Sequence, residues 1–133
     1  MTAASQLSPV IRIVDDDDRV RESVAFVLQI DGHQTEEYES AEDFLKFSDF
    51  ERPGCIVLDI RMPGMSGLEL QLELKNRGST IPILFLTGHG DMAAAVMALK
   101  RGAADFVAKP IEPEVLQSSV RNLVHWHCSL CRE

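Results

Sequence analysis

The chain has 133 residues, 45% of them apolar, and a formal net charge of −8. That length suits one domain with a hydrophobic core, no apolar run is long enough to cross a membrane as a helix, and the acidic balance excludes nucleic-acid binding by this domain through basic patches. Three cysteines without framework spacing, and residues 1–6 with neither a basic nor an apolar signal region, point to a reduced, cytoplasmic setting.

Residues 10–14 form an apolar run that predicts a first strand, and the acidic run 15–18 ends it. Val20, Val24, Val27 and Leu28 recur at helical spacing up to a stop at Asp31-Gly32. Within the acidic run, Asp17 and Asp18 suit the start of that helix, where the macrodipole favours negative charge. A weaker edge strand is expected over 34–38. Ser40, with Glu42 and Asp43 behind it, opens a short helix whose core positions are Phe44, Leu45 and Phe47. After the turn Arg52-Pro53-Gly54, the unbroken apolar run 55–58 predicts a strand buried on both faces, and Asp59 ends it.

Leu68, Leu70, Leu72 and Leu74 alternate as in a strand. Gly67 before them, the helix formers Glu69, Gln71, Glu73 and Lys75 among them, and Arg77-Gly78 after them favour a helix instead. A fourth strand is expected over 81–86, with Pro82 tolerated near its start and Thr87 at its end. Asp91 is placed to cap an alanine-rich helix over 92–100 that stops at Gly102. A fifth strand over 104–107 leads into Lys109-Pro110, and a last helix runs over 113–126 with proline near its first turn.

Five strands alternating with five helices imply an α/β domain: a doubly wound parallel sheet with right-handed crossovers and helices on both faces. In such a sheet the carboxyl ends of the strands share one edge, where ligands bind at the reversal of strand order. Asp15 and Asp16, Asp59, Thr87 and Lys109 each follow a strand-like run, so the topology gathers them. Carboxylates brought together raise one another's pKa, and a divalent cation relieves that repulsion. Carboxylates, a hydroxyl and an ammonium in one cleft make a magnesium-dependent phosphoryl-accepting site.

Over roughly 10–124 the sequence resembles the CheY-like receiver domain of two-component response regulators. The resemblance rests on Val14-Asp15-Asp16, on Asp59 with Met62-Pro63 and Gly67, on Thr87-Gly88 and on Lys109-Pro110, in family order and spacing. Residues 13–21 and 87–91 look most like receivers of the NarL/FixJ type. The resemblance implies a flavodoxin-like (βα)5 fold of strand order 2-1-3-4-5, with Asp59 as phosphoacceptor. It implies Mg2+, or alternatively Mn2+, held directly by Asp16, Asp59 and the backbone carbonyl of Arg61, with Asp15 acting through water. Thr87 and Lys109 would bind the phosphoryl oxygens, and the Lys109-Pro110 bond would be cis. Phe106 would follow Thr87 in a switch, while Arg61, Gly88 and His89 would tune the lifetime of the phosphate.

The implied partners are a histidine kinase or a histidine phosphotransfer protein, with a homodimer formed on phosphorylation. The implied output is transcription through a DNA-binding domain, delivered from the fourth helix, fifth strand and fifth helix. Residues 1–9 read as an N-terminal extension and 125–133 as a helix end and tail, with no output domain following, so a free-standing phosphorelay receiver is the alternative. The tail contains His125, His127, Cys128 and Cys131, but ligands packed so tightly on a helix end suit a tetrahedral zinc site poorly. Reduced thiols, with Trp126 packed on the body or on a partner, are expected there. An aspartyl-phosphate-forming phosphohydrolase would need a general acid two residues after Asp59, where Arg61 stands. A dinucleotide-binding fold would need Gly-x-Gly-x-x-Gly after the first strand, and the sequence has none.

Overall fold

Strands that are apolar at nearly every position must be covered on both sides, and the fold follows from meeting that demand. The computed structural model describes residues 8–88 and 90–131, apart from the side chains of 130 and 131. The elements alternate as β1 (Val10–Val14), α1 (Asp18–Ile30), β2 (Gln34–Tyr38), α2 (Ala41–Phe47), β3 (Gly54–Asp59), α3 (Gly67–Asn76), β4 (Ile83–Thr87), α4 (Met92–Lys100), β5 (Asp105–Ala108) and α5 (Pro113–Cys131). All pairings are parallel, and the sheet order is β2-β1-β3-β4-β5, as expected.

Alternate strand residues feed two cores. Ile11, Ile13, Cys55, Val57, Leu84, Leu86 and Val107 pack under α1 and α5, against Val24, Leu28, Leu116 and Val120. Val14, Ile56, Leu58, Ile83 and Phe85 face the other way, onto Phe44 of α2, Leu70 and Leu74 of α3, and Ala95 and Ala98 of α4. In α3 the buried leucines are four apart while Leu72 is exposed, so helical spacing prevails over the apparent alternation. Ser66 and Glu69 close a capping box at its start.

Several expectations need correction. Phe47 is 65% exposed rather than part of the core. Phe50, just beyond α2, takes the space beside Phe44 instead, with ring centroids 5.3 Å apart in an edge-to-face pair. β5 lies one residue later than the predicted 104–107. The last helix passes its predicted end at 126 and continues to Cys131. Of the tail residues, His127 is buried, whereas its neighbour Trp126 is 53% exposed.

His127 explains why α5 continues. Its Nδ1 accepts a hydrogen bond from the buried Gly54 N–H at 3.1 Å, and its Nε2 lies 3.2 Å from Thr80 Oγ1. Gly54 is held at φ +141°, and a Cβ there would sit 1.9 Å from the Val10 carbonyl oxygen, so only glycine fits. β1 also buries a cation. Arg12 is fully covered, and its Nη2 donates to the carbonyls of Asp49 at 2.6 Å and Arg52 at 2.7 Å, tying down the loop before β3.

Candidate functional site at the strand ends

The parallel register sets the site. Val14 pairs with Leu58, so Asp15 emerges beside Asp59; Asp59 pairs with Leu86, and Thr87 with Ala108, so Thr87 and Lys109 follow on the next two strands. The Lys109 N–H donates to the Thr87 carbonyl at 2.8 Å, extending the ladder past the last strand residue. The Lys109-Pro110 peptide is cis. Gly67 lets the β3–α3 loop close tightly behind the site, because a Cβ there would meet the Asp59 carbonyl oxygen at 2.2 Å.

Asp15, Asp16 and Asp59 converge: one carboxylate oxygen from each lies within 4.8 Å of the other two. Asp15 and Asp59 are buried and Asp16 is exposed, so the cluster opens to solvent on one side. Lys109 Nζ sits 3.3 Å from Asp59 Oδ1 and 3.8 Å from Asp15 Oδ2. Asp15 Oδ1 accepts the Asp17 N–H at 2.9 Å, while its Oδ2, also buried, accepts no hydrogen bond. Burial, with the Asp59 charge adding to it, pushes the Asp15 carboxyl up to about 6. Burial also raises Asp59, against the opposing pull of Lys109.

The donor set fits a hard divalent cation. Three carboxylates with one buried oxygen unsatisfied match magnesium, which takes a few carboxylates, water and phosphate oxygens. Manganese shares the preference for oxygen ligands. The other acidic residues of the run have different work. Asp17 caps α1, accepting from Arg19 N–H at 2.9 Å, and Asp18 pairs with Arg21 in the first turn.

Thr87 is buried at the end of β4, and Phe106 is half-buried on β5 against the α2–α3–α4 core. Arg61 directs its side chain away from the carboxylates, onto Asp91. Gly88 donates its N–H to Asp91 Oδ2 at 3.2 Å. Asp91 occupies the N-cap position of α4 but, contrary to expectation, makes no side-chain cap bond there, because both its oxygens are turned to Arg61 and Gly88. His89 lies outside the described residues. Among the described residues, the only group of three or more acidic, histidine or cysteine side chains close enough to share an ion is Asp15, Asp16 and Asp59.

Comparison with known proteins agrees with this geometry. The family model described as the response regulator receiver domain matches residues 11–121. The chain is 47% identical over 111 residues to the transcriptional regulatory protein FixJ of Azorhizobium caulinodans, covering 84% of this chain and 53% of that protein. It is 44% identical over 117 residues to the response regulator protein TodT of Pseudomonas putida, covering 88% of this chain and 52% of that one. Among solved structures, the response regulator StyR superposes with a TM-score of 0.88 at 39% identity, over 94% of this chain and 63% of that chain. FixJ-N gives 0.83 at 41% identity, over 90% and 96% respectively. The chain spans about half the length of the curated relatives it matches.

Proposed function

Because the chain belongs to the response regulator receiver domain family, in which the domain serves as a phosphoacceptor and not as a broader enzyme, we propose that Asp59 is its phosphoacceptor, loaded from a phosphohistidine on a kinase or phosphotransfer partner. The observation that carries this is the convergence of Asp15, Asp16 and Asp59 beside Lys109 at one edge of the sheet.

In this reading an Asp59 carboxylate oxygen attacks phosphorus. The P–O bond forms as the P–N bond to the partner histidine breaks, and the leaving nitrogen keeps the electron pair. Asp16, Asp59 and the Arg61 carbonyl would hold magnesium directly and Asp15 through water; the bound ion would neutralise charge on the transferring group. Lys109 is a mobile point charge already within reach of Asp59 and can follow a phosphoryl oxygen. Thr87 supplies a hydroxyl, and Gly88 leaves room beside it. Tuning of the acyl phosphate's lifetime falls to the positions of Arg61 and His89.

The new dianion draws Thr87 inward, and Phe106 takes up the space released in the core. The output face is then α4, β5 and α5. In α4 only Ala95 and Ala98 are buried, whereas Met92, Val96 and Met97 are exposed, which suits a surface that pairs with a second copy after phosphorylation. FixJ is by its name a transcriptional regulatory protein, and its similarity supports a transcriptional output for this receiver. No helix among the described residues is long and apolar enough to cross a membrane; we assign a cytoplasmic setting, with 10–124 as the receiver unit.

The test is incubation with acetyl phosphate and Mg2+, read by intact mass. A phosphate adduct is expected on the wild type and absent from both Asp59→Ala and a metal-free control. An adduct that persists in Asp59→Ala would overturn the assignment.

A further inference from the structure

Asp91 is an aspartate at a helix N-terminus that leaves its helix uncapped. Such a residue ordinarily accepts a first-turn N–H. Here the side chain, only 8% exposed, turns away from α4. Its Oδ1 takes Arg61 Nε in an ion pair, and its Oδ2 accepts the Gly88 N–H at 3.2 Å.

These two donors flank the phosphoacceptor. Arg61 lies two residues beyond Asp59 in the chain. Gly88 lies two residues beyond Leu86, the neighbour of Asp59 across the β3–β4 ladder. One carboxylate therefore ties the loop after β3 to the loop after β4 and occupies a donor from each.

We propose that Asp91 is a positioning residue that acts as a latch on phosphoryl transfer. In the resting chain it holds the Gly88 N–H and the Arg61 guanidinium away from Asp59. A phosphoryl group on Asp59 competes for both donors and releases Asp91 to cap α4. The inference rests on Asp59 being the phosphoacceptor.

The competition favours the phosphoryl group, which carries nearly twice the charge of a carboxylate and three strong acceptor oxygens. Release of Asp91 is also cheap. Its ion pair with Arg61 is exposed on the arginine side, where solvent weakens it. A new cap bond to α4 offsets part of the loss, and α4 buries little that its first turn would have to drag along. The far end of α4 is fixed, because the buried Gln71 Nε2 donates to the Ala98 carbonyl at 2.9 Å. The helix can thus reorganise at its first turn while its last turn stays docked on α3.

The test compares the wild type with Asp91→Ser, which keeps a capping oxygen but is too short to span both donors, and with Asp91→Asn, which keeps the shape without the charge. Initial rates of labelling by acetyl phosphate with Mg2+ are read by intact mass, and melting curves establish that each variant is folded. Asp91→Ser is expected to label roughly fivefold faster than the wild type, as for loss of a partly exposed charged contact, and Asp91→Asn to fall between the two. In the resting protein, Asp91→Ser should also strip the Gly88 amide of its hydrogen-exchange protection. A merely structural ion pair would lower the melting temperature without raising the labelling rate. Wild type that labels while both variants label at or below its rate would overturn the latch alone. Wild type that takes no phosphoryl group would overturn the assignment of Asp59, and the latch with it.

Discussion

At the carboxyl edge of the sheet Asp15 keeps a buried carboxylate oxygen with no hydrogen bond, whereas near the amino edge His127 has both ring nitrogens engaged. Both residues are covered by protein, and both have pKa values moved by desolvation toward the neutral form. They differ in what the surroundings leave undone. His127 as a neutral ring accepts from Gly54 at Nδ1 and presents Nε2 to Thr80, so its burial has been matched by partners. Asp15, Asp16 and Asp59 crowd three carboxylates around a single ammonium. The fold has spent stability at one edge to hold a reactive arrangement and recovered some at the other. At the acidic edge the unmet demand is a cluster of like charges open to solvent on one side, whereas the unpaired Nε and Nη1 of Arg12, in the middle of β1, are enclosed by protein. The accessible cluster marks the end of the sheet where chemistry happens.

The comparison breaks most directly at His127. Replacing it with alanine would leave the Gly54 N–H buried without a partner and open a void between α5 and β3. We expect a loss of about 2–4 kcal/mol, read as a large fall in melting temperature. The phosphate adduct on Asp59 should persist below the new transition, since the ring is remote from the acidic edge. At that edge the opposite sign is expected. Asp15→Asn keeps an oxygen for the Asp17 N–H but removes the buried charge. In metal-free buffer it should stabilise the fold by about 2 kcal/mol. The same variant should lose most of the stabilisation that millimolar Mg2+ gives the wild type. A metal-free melting temperature that falls would mean that Asp15 is satisfied after all, and the contrast between the two edges would vanish.

The sequence made one edge legible and hid the other. Asp15, Asp59, Thr87 and Lys109 stand out because each interrupts an apolar run at a strand end, and parallel topology leaves such residues nowhere to go but a common edge. Arg12 also sits in an apolar run, but mid-strand, where a charged residue reads as an outward-facing side chain. The hydrogen bonds that hold it there go to the carbonyls of Asp49 and Arg52, 37 and 40 residues away, and engage Nη2 alone. His127 was obscured in the same way, because its partners at Gly54 and Thr80 are distant in sequence and its immediate neighbours suggest a polar tail. Phe47 misled for the converse reason: periodicity places it near the core face, but Phe50 fills that space. Asp91 carried every local sign of a cap, and a long-range ion pair redirected it. Local pattern gave the elements nearly to the residue, as in β1, β2 and α4, while contacts between distant segments decided which polar side chains were buried and how.

The smallest effect expected is in the pH dependence, where the two edges act with opposite signs. Burial, with the charge of Arg12 added, lowers the His127 pKa below its ordinary 6.5. Its contribution to stability is therefore complete above pH 6.5 and lost as pH falls from there toward the lowered value in the fold. Asp15 is raised from 3.8 to about 6, so its contribution is complete below pH 3.8 and lost as pH rises toward 6. In metal-free wild type the histidine opposes the acidic edge, where the raised Asp59 acts with the same sign as Asp15, and the two edges flatten the stability curve between about pH 4 and 6.5. Removing the Asp15 contribution should bring out the histidine: in Asp15→Asn the melting temperature should fall more with acidification below pH 6.5 than it does in the wild type. Adding His127→Gln to that background should remove the slope, since the amide has no proton to gain in this range. A slope that survives the double substitution would trace the acid sensitivity to other groups and leave His127 as a hydrogen-bonding clasp without a titration of its own.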